Sequence, residues 1–193
     1  MTDASLPVVI LGTAPARDGA PAWDEDAPST RRLADLAGVR PDELCLHYAL
    51  DNLLTVTSGS CSTPSAYRSA LAALAARYDF LSGFRYLLAG SEVVRALGKR
   101  ALVARDARRL PWHRSGPGVL RWYESAEGVT MAVLPHPSGR NRWYNDPRCR
   151  RAAERFLRAC AARGDGRIGS PAHGDAHARF RCARENWLEG PAP

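Results

Sequence analysis

The chain has 193 residues, 45% of them hydrophobic, which is enough for one domain with a buried core and excludes global disorder. Its net charge is +7, and Lys99 stands alone beside 26 arginines. That bias partly follows GC-rich coding, so it permits a polyanionic partner without establishing one. No stretch approaches the ~18 apolar residues of a membrane span, and residues 1–15 lack the basic-then-apolar order of a secretion signal. A soluble, unexported, cytoplasmic protein is expected. Cys45, Cys61, Cys149, Cys160 and Cys182 include no CxxC pair, which argues for reduced structural thiols over a disulfide framework or a zinc site.

Residues 7–12 (PVVILG) form a short apolar run of the kind found in a strand buried on both faces. A Gly/Ala/Pro-rich stretch to Pro28 reads as a long loop, after which Ser29 is expected to cap a helix that Gly38 ends. Residues 44–56 (LCLHYALDNLLTV) read as a second strand running into a loop. Thr63-Pro64 opens a helix to about Ser82, and residues 86–90 form a third strand feeding a helix capped by Ser91 and stopped by Gly98. Short strands are possible at 101–105 and 119–123, and 129–134 is the last clear one. Asp146-Pro147 starts a helix with Cys149, Ala153, Phe156, Leu157 and Cys160 on one face, ended by Gly164. Strands alternating with helices predict an α/β layer with a mostly parallel sheet. Residues 1–164 are expected to form the domain. Residues 165–193, rich in Arg, Gly and Ala, are expected to form a poorly ordered tail.

In such sheets ligands sit beyond the carboxyl ends of the strands. Three groups of residues fall there. Gly12-Thr13-Ala14-Pro15 allows close backbone approach to a ligand, although it reads equally as an ordinary strand-to-loop turn. His136-Pro137-Ser138-Gly139-Arg140-Asn141-Arg142 holds an imidazole between two prolines and adds cations for phosphate, the alternative being an exposed proline-rich turn. Asn52 carries an amide that can pair bidentately with a uracil-like base edge, or shape a turn.

Together these residues, in this order, resemble the uracil-DNA glycosylase superfamily over about residues 6–160. Gly12-Thr13-Ala14-Pro15 matches the strand-one motif, Asn52-Leu53-Leu54-Thr55-Val56 the base-reading asparagine, and His136-Pro137-Ser138-Gly139 the late histidine motif. Leu87-Leu88-Ala89-Gly90-Ser91 looks like the family's third strand and helix start. The resemblance implies a three-layer sandwich with a central four-stranded, mainly parallel sheet flanked by helices. It also implies hydrolysis of the N-glycosidic bond of uracil, or a related modified or mismatched pyrimidine, flipped out of DNA. By that match His136 stabilises the leaving base and Asn52 reads its edge. Gly12 and Ala14 line the base site, and Ser138, Gly139, Arg140, Asn141 and Arg142 contact DNA, with Arg140 where the family places a wedge. Water is the co-substrate, so no cofactor, metal or membrane is expected, and the chain is taken as a monomer.

Three departures qualify the match. Ala14 stands where the best-known branch has its water-activating aspartate, so the acid must come from elsewhere or be missing, and some branches supply one from the following loop. Asp18, Asp24 and Asp26 are candidates, with Asp26 preferred. Ala16 replaces a tyrosine that excludes 5-methyl groups, and Trp23 is then a candidate stacking ring. Cys149 and Cys160 do not reproduce the spacing of the family's iron–sulfur cluster. A non-catalytic DNA or modified-base binding module on the same fold is the alternative, and a hydrolase of free nucleosides or nucleotides is a third reading.

Overall fold

With no polar side chain to turn towards water, β1 (Val8–Gly12) is buried along its whole length. It occupies the interior of a sheet seen in a computed structural model that describes residues 6–15, 23–54, 63–101, 120–138, 141–162 and 180. β2 (Ala49–Asn52), β3 (Arg85–Ala89), β4 (Tyr123–Glu124) and β5 (Thr130–Leu134) complete it in the order β2-β1-β3-β5-β4. The first four strands in that order are parallel, and β4 runs antiparallel to β5. The expected four-stranded, mainly parallel sheet is therefore extended by a two-residue edge strand, which overlaps the short strand expected at 119–123 only at Tyr123.

Helices cover both faces, giving the three-layer α/β sandwich. α3 (Pro64–Arg77) and α4 (Ser91–Leu97) pack Leu71, Ala75, Val93 and Val94 on Val9, Leu11, Leu88 and Val133. α1 (Pro28–Ala37) and α5 (Pro147–Ala162) pack Leu33, Leu36, Ala153 and Leu157 on Ile10, Leu87, Ala132 and Leu134. Tyr48 joins the second core to α5, donating its hydroxyl to the Leu157 carbonyl at 2.8 Å. No helix among the described residues is long and apolar enough to cross a membrane.

Several boundaries differ from the sequence expectation. Residues 44–47, expected as strand, form a helical turn, α2 (Leu44–His47), which continues a 3-10 helix at Pro41–Glu43. The proline and the two acids after it start a helix before the apolar run begins. Pro28 takes the first position of α1, so the cap is Ala27 rather than Ser29. Gly90, at φ +106°, caps α4 in place of Ser91. α3 ends at Arg77, short of Ser82, because the Arg100 guanidinium takes the Ala75 and Tyr78 carbonyls at 2.6 and 2.8 Å. Thr63 does cap α3, accepting from the Ala66 amide at 3.1 Å, and Gly38 and Gly98 end their helices as expected. Of the expected tail only Phe180 is described. It is 2% exposed, its ring 5.5 Å from that of Phe84, so this residue belongs to the domain core. The expected strand at 101–105 lies, beyond Ala101, outside the described residues.

Candidate functional site

Parallel register brings four strand ends level. Gly12 pairs with Asn52, Leu11 with Leu88, and Ala89 with Leu134. Beyond that edge lies a cavity of about 630 Å³, lined from β1 by Thr13, Ala14 and Pro15, from β2 by Asn52, from the β3–α4 turn by Gly90 and Glu92, and from the loop after β5 by His136, Ser138 and Asn141. Trp23, Asp24, Ser29, Thr30 and Tyr67 close its sides.

Asn52 is 6% exposed and sits against β1 with no room to spare. A Cβ added to Gly12 would fall on the Asn52 Oδ1 atom and 3.0 Å from Cζ2 of Trp23. Glycine is required there for space. Trp23 is pinned across β2, its indole N–H donating to the Asp51 carbonyl at 3.1 Å. Its ring thus forms a fixed wall of the cavity beside the Asn52 amide. Asp51 itself is turned to other work: its carboxylate accepts from the backbone N–H of Asn52 at 2.8 Å and from the Tyr78 hydroxyl at 2.6 Å.

His136 ends a turn held by its neighbours. Tyr144 donates its hydroxyl to the Pro135 carbonyl, and Asn141 Nδ2 donates to the His136 carbonyl at 3.1 Å. The Ser138 amide donates to His136 Nδ1 at 3.1 Å, which leaves the ring proton on Nε2. Burial holds the imidazole pKa below its ordinary value, partly opposed by the negative charge of Glu92. The group is therefore a neutral N–H donor in a cavity that also holds an amide. Gly90 makes room for it, since a Cβ there would come within 3.0 Å of the His136 Cβ.

The acids are distributed differently from the expectation. Asp26, preferred from the sequence, does not line the cavity: its side chain is 73% exposed and pairs with Arg31 at 2.7 Å. Asp24 lines it instead, 8% exposed, with Oδ1 accepting the Asp26 amide at 3.1 Å and its carbonyl accepting Ala27 N–H at 2.9 Å. That tight turn faces Asp24 inward and Asp26 outward. Asp18, Gly139 and Arg140 lie outside the described residues. Asn141, expected on DNA, spends both ends of its amide locally, its Oδ1 accepting the Trp143 amide at 3.0 Å. Ser138 stays on the cavity wall and Arg142 is exposed on a 3-10 helix, Arg142–Asn145.

Glu92, Tyr67, Ser29 and Thr30 line the cavity without having been singled out. Glu92 was findable, because it follows Gly90-Ser91 at a strand's carboxyl end, where ligands gather. Tyr67 was hidden by its place in an apolar helical pattern, and Ser29 by its resemblance to a cap. Among the described residues no group of three or more His, Cys, Asp or Glu side chains can hold a metal ion. Cys149 and Cys160 are buried on α5. A scan against protein-family models finds no match for the chain, and a search of curated proteins finds no relative.

Proposed function

We propose that this chain is a DNA glycosylase that hydrolyses the N-glycosidic bond of uracil or a related modified or mismatched pyrimidine flipped out of DNA. The observation that carries the reading is the neutral His136, fixed as an Nε2–H donor, in the same cavity as the buried Asn52 amide. A pyrimidine needs a donor–acceptor pair for its N3–H and O4, and a donor for the charge that reaches O2 as the bond to C1′ breaks. Asn52 supplies the first and His136 the second. Trp23 offers a rigid face for stacking.

In this reading the C1′–N1 bond breaks first, leaving an oxocarbenium-like sugar and an anionic base whose O2 accepts from His136. A water adds to C1′, and Asp24 takes its proton. The base leaves and is protonated, and the strand keeps an abasic sugar. Removing an oriented donor of this kind costs about 10²–10³ in rate. The four parallel strands agree with the architecture that the family resemblance implies, and the arginine-rich charge balance suits a phosphate backbone.

The test is an excision assay on labelled oligonucleotides carrying uracil opposite G, opposite A or single-stranded, thymine opposite G, or 5-hydroxymethyluracil. Alkali-sensitive cleavage in the wild type, lost in His136→Ala and Asn52→Ala, is the expected result. Salt-sensitive DNA binding without cleavage would favour the binding module, a reading motivated by Ala14, which brings no acid to the cavity. Turnover of free nucleosides with little salt dependence would favour the small-molecule hydrolase.

A further inference from the structure

We propose that Arg32 of α1 is a positioning residue for His136, holding the turn that makes the imidazole present Nε2–H to the cavity. The catalytic weight of this role rests on the glycosylase reading; the positioning itself does not. Arg32 sits in the second turn of α1, and its Nη1 donates to the Ser138 carbonyl at 3.0 Å, across 106 residues of sequence. Its Cζ lies 5.9 Å from the centroid of the Tyr144 ring, the same tyrosine that donates to Pro135. Three carbonyls of the turn thus receive donors: Pro135 from Tyr144, His136 from the Asn141 side chain, and Ser138 from both Arg32 and the Asn141 backbone N–H.

Ser138 is where this matters for the chemistry. Its N–H donates to His136 Nδ1 and its carbonyl accepts from Arg32, so the residue is held at both backbone ends. Neutral imidazole has two tautomers, and the partner of one nitrogen decides which nitrogen carries the proton. Without Arg32 the Ser138 carbonyl keeps the Asn141 N–H at 3.1 Å but loses its tie to α1, and the amide beside it is aimed less firmly at Nδ1. The proton can then sit on Nδ1, which turns Nε2 into an acceptor, the wrong polarity for a developing oxyanion. Among the described residues the other acidic and phenolic side chains lining the cavity are Glu92 from α4, Asp24 from the turn before α1, and Tyr67 from α3. The donor on Nδ1 is the Ser138 amide.

Sequence distinguishes Arg32 from its neighbour only by phase. Arg31 points out to the exposed Asp26, whereas Arg32 is partly buried and reaches the histidine turn.

The experiment is long-range ¹H–¹⁵N correlation of the histidine rings in the full-length protein, with His136 assigned by the signal missing in His136→Gln. The wild type should show Nε2 protonated and Nδ1 as the acceptor. Arg32→Met keeps the aliphatic stem and removes the donor, and should shift the His136 ring to a tautomer mixture or to Nδ1–H. Arg32→Lys, with a single ammonium group on a flexible stem, should restore part of the wild-type pattern. A folded Arg32→Met protein with wild-type His136 shifts overturns the proposal. If that variant does not fold, Arg32→Ala, which keeps the helix and removes the donor, takes its place, and a folded Arg32→Ala protein with wild-type His136 shifts overturns the proposal. Where excision is present, kcat should fall roughly tenfold or more in Arg32→Met with KM little changed, a fraction of the loss on removing the donor itself. If the wild type excises nothing, the glycosylase reading fails while the ring measurement still decides the role of Arg32.

Discussion

Replacing Gly12 with alanine adds one methyl group at the point where β1, Asn52 and Trp23 meet. Its Cβ would fall on the Asn52 Oδ1 atom and 3.0 Å from the indole, so something must move. Neither neighbour is the loose end of a flexible chain. Asn52 is buried in the strand pairing, and Trp23 is tied by its N–H to the Asp51 carbonyl. Overpacking of this kind costs about 1–3 kcal/mol. For a chain of this length each kcal/mol lowers Tm by roughly 2–4 °C, so a fall of about 4–8 °C is expected for ~2 kcal/mol. The functional loss should be larger than the stability loss suggests, because the displaced group is the one proposed to read the base. Excision by the folded variant should fall by roughly 10²-fold, with weakened binding of the pyrimidine. Gly83→Ala is the control. Its φ of +82° strains any side chain, at about 1–2 kcal/mol, but nothing lies within 4 Å and it is not among the cavity residues. Both variants should melt early, and only Gly12→Ala should lose activity. Wild-type excision by Gly12→Ala would refute the placement of Asn52 in the base site.

Asp24→Asn should reduce excision by about 10²-fold or more while binding persists, whereas Asp26→Asn should stay near wild type, losing one exposed ion pair with Arg31; parallel kinetics of the two variants decide which acid serves the cavity. The His136 pKa is depressed below 6.5 by burial, so the neutral donor survives below that pH and the acidic limb that this group sets in the rate profile lies under 6.5. The same depression makes the unfolded chain bind more protons between the folded pKa and 6.5. Its contribution to stability is then complete above 6.5 and lost as pH falls through the folded pKa. Melting curves between pH 4.5 and 7.5 should therefore lose part of their slope in His136→Gln, and an unchanged slope would count against a buried neutral ring. Tyr48→Phe removes the second donor on the Leu157 carbonyl, which α5 still bonds within the helix, and should cost about 0.5–1.5 kcal/mol in thermal unfolding, with excision per folded molecule unchanged.

The parallel core was legible because its strands are short apolar runs with a single reading: residues 8–12, 85–89 and 130–134 are buried almost throughout. α5 was legible for the opposite reason, since Ala153, Leu157 and Cys160 recur at helical spacing and do face the core. The apolar stretch LCLH suits a strand or a helix equally, and only the Pro41-Asp42-Glu43 start resolves it. Asn52 and His136 were singled out because strand ends concentrate ligand contacts, and they do line one cavity, while Gly12 makes room for the Asn52 side chain beside it. Which loop acid turns inward was not legible. Asp24 and Asp26 are two residues apart, and their fates are set by one backbone hydrogen bond, Asp26 N–H to Asp24 Oδ1. The role of Arg32 is likewise invisible in the sequence, because its partner Ser138 is brought near only by the packing of α1 against the loop after β5.

The most direct test of the central claim is the identity of the small molecule released when the protein is incubated with a duplex containing a single uracil. Hydrolysis at C1′ predicts free uracil by mass spectrometry, in amounts equal to the alkali-labile sites formed, with the strand intact until alkali is added. Release of deoxyuridine or its monophosphate, or no release from uracil, thymine opposite G or 5-hydroxymethyluracil, would contradict it.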